Sequence, residues 1–275
     1  MGRRALELKD KIAVITGAGS GIGRALALKF ADDGARFVVC SDLDGDDALA
    51  TAAMIGDSSR ASGVVLDVGD EAAVNALVAA TEQAHGGIDV FVSNAGYGVA
   101  GGLDLATEQW TRMMNVHTWS HLYAARAVIP GMIERGGGYL LNTASAAGLL
   151  TQMDSGPYAV SKHAAVAFAE WLQINYAEEN IGVSVLCPQA VRTNILGEAA
   201  KKRSNQPGGS AGQAGADGIL EPEFVAQACV NAMRDETFLV LPHEEVLTYF
   251  QRKANDYDRW LGGMQRFRRK LLGKG

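Results

Sequence analysis

The sequence predicts an α/β fold, a doubly wound parallel sheet of about seven strands in a single domain with a C-terminal helical extension. Three observations predict it. Short β-branched runs alternate with helical patterns almost from end to end. The runs are nearly continuous in apolar residues, as strands covered on both faces are. A glycine-rich turn joins the first run to the first helical segment.

The elements follow in order along the chain. Lys11–Thr16 (KIAVIT) reads as the first strand and Ile22–Asp33 as the helix behind the glycine turn. Arg36–Ser41 is a strand, Gly45–Ile55 a helix, Gly63–Asp67 (GVVLD) a strand and Glu71–Ala84 a helix. Ile88–Ser93 is a strand, helical pattern runs through Thr107–Ile133, and Gly138–Thr143 is the fifth strand. Pro157–Glu179 reads as one long helix, Gly182–Cys187 as a strand, Pro222–Met233 as a helix and Phe238–Leu241 as the last strand. Right-handed crossovers between such units give a Rossmann-like sheet over residues 8–242, with neither a second domain nor a solenoid repeat. Residues 194–221 stand apart: the stretch from Gly197 to Gly218 is rich in Gly, Ala, Ser and Lys and has no hydrophobic period. A loop of that length in a compact domain predicts a lid that orders on binding. The tail, 243–275, reads as one long helix from Glu244, with Tyr257, Trp260, Leu261, Met264, Phe267 and Leu271 forming an apolar stripe. Arg266, Arg268, Arg269 and Lys270 surround Phe267. An anionic membrane surface is one reading, but Asp256 and Asp258 favour packing on the chain's own domain or a sister subunit.

Composition narrows the function. Among 275 residues, 25 Lys and Arg against 31 Asp and Glu leave a net charge of −6. A net negative chain does not attract phosphate backbones, so no nucleic-acid partner is expected. With 48% hydrophobic and only 20% charged residues, the chain can bury a large core. Cys40, Cys187 and Cys229 show no paired or metal-like spacing, which suggests a reducing compartment. Charged Glu7, Lys9 and Asp10 leave no apolar core for a signal peptide, Leu6 removes the myristoylation pattern, and no apolar run reaches ~20 residues. The expectation is a cytoplasmic protein without a membrane span.

The glycines, 33 in all, matter most where they cluster. Gly17-Ala18-Gly19-Ser20-Gly21-Ile22-Gly23 sits between the first strand and the first helix. Such a turn lets backbone approach a pyrophosphate, whose charge then rests at the helix N-terminus. Asp42 closes the next strand, where a carboxylate accepts from both ribose hydroxyls of NAD and repels the 2′-phosphate of NADP. No Arg or Lys adjoins Asp42 or interrupts the turn, so NAD is favoured.

A second constellation is Ser145, Tyr158 and Lys162. Tyr158 and Lys162 are four apart on one helix and share a face. A free phenol, with a pKa near ~10, is a poor base, and a cation within a few Å is expected to lower that value. Ser145 lies just past the fifth strand. The glycine turn, Asp42, Asp67, Asn94, Ser145 and Thr193 each fall at or just after the end of a different predicted strand, the edge along which ligands of open parallel sheets bind.

These motifs, with Asn94-Ala95-Gly96, Asn115, Tyr158-Ala159-Val160-Ser161-Lys162 and Pro188 to Thr193, resemble the short-chain dehydrogenase/reductase family over roughly residues 8–242. The resemblance implies that Tyr158 is the general acid/base, that Ser145 holds the substrate oxygen, that Lys162 binds the nicotinamide ribose and tunes Tyr158, and that Asn115 orients a water in a proton relay. Gly17, Gly19, Ser20, Gly21, Ile22 and Gly23 would line the pyrophosphate, Asp67 and Val68 the adenine, and Asn94, Ala95 and Gly96 the adenosine side. Val191 and Thr193 would hold the carboxamide face of the nicotinamide. Ser93 and Gln189 depart from the family's usual Asn and Gly, and Gln189 stands in the backbone that leads to Thr193. The resemblance also implies a homodimer or homotetramer built on long helices.

His117 and His121, four apart, could pair on a metal, but no third ligand accompanies them, so no metal is expected. His85, His163 and His243 show no partner pattern. The expected activity is NAD-dependent interconversion of a secondary alcohol and a ketone. Its substrate would be hydrophobic, steroid-like or aryl, because the predicted pocket residues Tyr97, Val99, Leu149, Leu150, Met153, Ile195 and Leu196 include no basic cluster. The alternatives are a non-catalytic NAD-sensing protein, or an epimerase or lyase with tightly held NAD.

Overall fold

The computed structural model describes residues 6–196, 215 and 217–274. Seven strands form one parallel sheet: β1 (Ile12–Thr16), β2 (Phe37–Asp42), β3 (Ala61–Val65), β4 (Val90–Ser93), β5 (Gly138–Thr143), β6 (Ile181–Leu186) and β7 (Leu239–Val240). Their spatial order is β3-β2-β1-β4-β5-β6-β7. Side chains alternate across the sheet, so Val14 and Val39 enter one core while Ala13, Ile15, Val38 and Cys40 enter the other. The first core is closed by α3 (Glu71–His85), α5 (Ser120–Glu134) and α7 (Gly156–Asn175), through residues such as Val74, Val128 and Leu172. The second is closed by α1 (Gly21–Asp32) and α8 (Pro222–Arg234), through Leu26, Phe30, Cys229 and Met233, with α2 (Gly45–Met54) at its edge.

Several boundaries differ from the sequence expectation. β3 begins and ends two residues earlier than Gly63–Asp67, because its ladder with β2 runs from Val38 opposite Ala61 to Asp42 opposite Val65. Gly63 falls inside that strand, where α2 passes so close that a Cβ would lie 2.5 Å from the Leu49 nitrogen. The helical stretches expected around Thr107–Ile133 are α4 (Thr107–Met114), a π-helical turn over Asn115–Trp119, and then α5. A four-residue helix, α6 (Ala147–Leu150), follows β5 without having been expected. The long helix expected to reach Glu179 stops at Asn175, and Asn180 at φ +60° leads the chain into β6.

The tail is two helices, α9 (Glu245–Asn255) and α10 (Tyr257–Leu271). Asp256, extended at φ −153°, breaks the helical path, and its carboxylate caps the new helix by accepting from Arg259 N–H at 3.0 Å. Trp260 packs on the first core, yet no residue of α10 is fully buried. Most of the expected lid, 197–214 and 216, lies outside the described residues. No described helix is long and apolar enough to cross a membrane.

Candidate active site

The strand order reverses between β1 and β4, the place where an open sheet parts at its carboxyl edge. A crevice of about 930 Å³ runs along that edge. Its floor is made by backbone approach. Gly17, at φ +64°, turns so close to the β4 loop that a Cβ would lie 2.8 Å from the Ala95 Cα. At Gly23 a Cβ would lie 2.1 Å from the Gly17 carbonyl, so only glycine lets α1 start against the turn. Thr16 Oγ1 accepts from the N–H groups of Asn94 and Ala95 at 2.9 and 3.1 Å, and the Asn94 amide donates to the Thr16 carbonyl at 3.0 Å. The two loops are thereby fixed as one rim.

At the β2 end the rim is acidic. Asp42 accepts from Gly19 N–H at 2.9 Å and from Asp44 N–H at 3.1 Å. No Lys or Arg adjoins Asp42 in the sequence, but Arg24, on α1, reaches back to donate to the Gly19 carbonyl and to Thr51 Oγ1. It also pairs with Asp47 at 3.5 Å. The helical pitch brings Arg24 back over the turn, which a search of Asp42's sequence neighbours does not detect. Further along, Asp67 accepts from Gly69 N–H and pairs with Arg112 at 2.9 Å. Burial pushes its carboxyl up, but the Arg112 and Gly69 bonds outweigh this and hold it below the usual range.

The acid/base constellation is assembled at the start of α7. Pro157 occupies the first turn, and the Ser155 hydroxyl caps the helix by accepting from Tyr158 N–H at 3.3 Å. Ser145 stands beside Tyr158 on the crevice wall, where its hydroxyl acts to lower the phenol's pKa. Ser145 Oγ in turn accepts from Ala147 N–H at 3.1 Å, so the unexpected α6 turn helps to aim it. Lys162, only 3% exposed, donates to the Thr143 carbonyl at 2.9 Å and lies 5.8 Å from the centre of the Tyr158 ring. Burial pushes its ammonium down to about 8. The Tyr158 hydroxyl is raised by burial, which outweighs the lowering by Ser145. The lowering expected from the sequence came from Lys162 together with an oxidised nicotinamide; in the chain alone, desolvation is the largest effect on the phenol.

Of the residues expected at the site, Gly17, Ser20, Gly21, Ile22, Asp42, Asp67, Val68, Asn94, Ala95 and Gly96 line the crevice. So do Ser145, Tyr158, Lys162, Val191 and Thr193. Gly19 and Gly23 shape the turn from behind. Asn115 is not among the lining residues; its neighbour two positions on, His117, is. The π-helical turn that carries both aims His117 inward, fully buried, with its ring 5.4 Å from that of Tyr158. The only sequence signal for this histidine was its four-residue spacing to His121. Among the described residues no cluster of three or more His, Cys, Asp or Glu could share a metal ion.

Gln189, the departure beside Pro188, is anchored. Its N–H donates to His243 Nδ1 at 3.2 Å and its side chain to Asp217 at 2.7 Å, and Tyr249 from α9 donates to the same carboxylate at 2.9 Å. At the other end of the crevice stand Tyr97, Val99, Leu150 and Ile195, as expected, together with Thr151, Gln152 and Asp154. Leu149 and Met153 are not among the lining residues, and the Leu196 side chain lies outside the described ones. Thr151 is held at φ +78°, ψ 164°, a conformation rare for a β-branched residue.

The chemistry of this edge fits a dinucleotide: a glycine cradle at a helix N-terminus, a carboxylate at the ribose position and a buried ammonium beside a phenol. Comparison with known proteins agrees. A family model described as short chain dehydrogenase matches residues 11–204. The chain is 33% identical over 247 residues to 1-deoxy-11-beta-hydroxypentalenate dehydrogenase of Streptomyces exfoliatus, covering 87% of this chain and 86% of that one. A short-chain dehydrogenase/reductase from Burkholderia phymatum, solved in complex with NAD, superposes with a TM-score of 0.82 at 31% identity, covering 92% and 96% of the two chains. L-Sorbose reductase from Gluconobacter frateurii, solved with NADPH and L-sorbose, gives 0.76 at 28% identity over 86% and 95%.

Proposed function

This chain belongs to the short-chain dehydrogenase/reductase family and is an oxidoreductase acting on CH–OH groups; from that premise we propose that it interconverts a hydrophobic secondary alcohol and its ketone with NAD, Tyr158 serving as general acid/base. The observation that carries the reading is the juxtaposition of Tyr158, Ser145 and the buried Lys162 at the inner end of the dinucleotide crevice.

Bound NAD would supply the hydride acceptor, held by the glycine turn, Asp42, Asn94 and Lys162. Ser145 donates to the substrate oxygen and keeps it at the Tyr158 hydroxyl. Tyr158 takes the alcohol proton in oxidation and returns it in reduction. Lys162 carries positive charge under the developing alkoxide, in a site where burial strengthens every electrostatic contact. The acidic rim at Asp42 supports NAD over NADP, because Arg24 is already engaged by Asp47 and the turn carbonyl. The apolar wall of Tyr97, Val99, Leu150 and Ile195 supports a hydrophobic substrate. Exposed Val160, Trp171 and Ile174 along α7 support a homodimer or homotetramer.

The test is Tyr158→Phe, assayed by nicotinamide absorbance with a panel containing 1-phenylethanol, 1-decalol and a hydroxysteroid. NADH binding should persist while turnover falls by roughly 1,000-fold or more, the usual scale for removing an acid/base group. A variant with wild-type turnover would remove Tyr158 from the mechanism.

A further inference from the structure

We propose that His117 is a positioning residue of this active site, a neutral imidazole clamped between the β4 loop and α7 that sets where the Tyr158 phenol stands. The proposal rests on Tyr158 being the acid/base. It adds a member that the motif residues did not include.

The hydrogen bonds determine the tautomer. The Tyr97 N–H lies 3.1 Å from His117 Nε2, and a backbone N–H can only donate, so Nε2 carries no proton. The ring proton is therefore on Nδ1, 3.0 Å from Ser161 Oγ, and it donates there. The Ser161 hydroxyl passes its own proton to the Tyr158 backbone carbonyl at 3.1 Å. Loop, imidazole, serine and tyrosine thus form one chain in which each hydrogen-bonding group has its partner. The ring also meets the Tyr158 ring edge-on, at 87°. The fit is close on the loop side, where a Cβ on Gly96 would come within 3.2 Å of Nε2.

A protonated ring would lose the Tyr97 bond and set a second cation beside Lys162. Burial and the Lys162 ammonium both oppose this and hold His117 well below its ordinary value. The clamp is made within a π-helical turn, a local departure from regular helix of the kind found at functional sites. The β4 loop also lines the crevice at Gly96 and Tyr97, so the clamp ties that wall of the site to the phenol.

Four variants test it, with NAD and whichever alcohol of the panel the wild type oxidises fastest. His117→Ala should lower kcat by about 100-fold, the scale of an ångström of misplacement at a reacting atom, with NADH affinity within threefold of wild type. His117→Asn can keep the Nδ1 donor and His117→Gln the Nε2 acceptor. The asparagine variant should recover more kcat, because the path to Tyr158 runs through Ser161, and Ser161→Ala should show the same kcat defect with His117 in place. A kcat for His117→Ala within twofold of wild type would overturn the proposal. So would equal losses in NADH binding and kcat across all the variants, which mean a general collapse of the loop. A wild type inactive on every alcohol and ketone with either cofactor would instead sink the functional reading on which the proposal rests.

Discussion

Replacing Lys162 with methionine should stabilise the cofactor-free protein at neutral pH while abolishing turnover. Its ammonium is 3% exposed, and burial takes its pKa from 10.5 to about 8. That lowering corresponds to roughly 3 kcal/mol for keeping the charge in the folded chain. Methionine fills much of the same volume without the charge, but it leaves the Thr143 carbonyl without its donor, at a cost of about 1.5 kcal/mol. The net gain should be about 1–2 kcal/mol below pH about 8. The sign follows from proton counting. Below 8 the lysine is charged in both states and the folded one carries the full burial cost; between 8 and 10.5 the folded chain releases its proton first, so wild-type stability rises with pH and the advantage of methionine disappears. Urea unfolding of both proteins, at neutral pH and above pH about 10, measures the difference. A variant less stable than wild type at neutral pH, or a gain unchanged by pH, would refute the reasoning.

Other outcomes follow from the same geometry. Asp42→Ala should raise the ratio of kcat/KM for NADP to that for NAD by about tenfold or more, some 1.4 kcal/mol, since Asp42 is the carboxylate at the glycine turn; an unchanged ratio would remove its role in cofactor choice. Alcohol oxidation should accelerate toward alkaline pH and ketone reduction slow, because burial keeps the proton on Tyr158 and only oxidation needs it gone. An oxidation rate that declines as pH rises would contradict it. Thr151→Gly should stabilise by about 1 kcal/mol, as relief of an unfavourable backbone conformation exceeds the entropy glycine adds to the unfolded chain, and should shift KM for the alcohol more than for NAD; a clear loss of stability would refute it.

The parallel sheet and the cofactor edge were legible because they depend on local signals. Apolar runs, a glycine turn and residues at strand ends report position without knowledge of what packs where. Three features were not legible, each for its own reason. His117 lies in the π-helical turn over Asn115–Trp119, and the resemblance that supplies Asn115 gives no sign that the residue two positions on faces the crevice. Arg24 acts at the turn through a bond to Gly19, five residues back and around a helix. The electrostatics of Tyr158 depend on how deeply it is buried, which spacing to Lys162 does not reveal.

Gln189 has a consequence of its own. One carboxylate, Asp217, gathers the loop after β6 and the α9 tyrosine, and His243 holds the same loop from below. The far end of the polypeptide therefore has a hand on the reaction centre. Shortening the chain before Tyr249 would not simply trim an appendage; it would act like a lesion in the pocket itself, and a peptide tag or partner pulling on the last helices could be felt as a change in turnover.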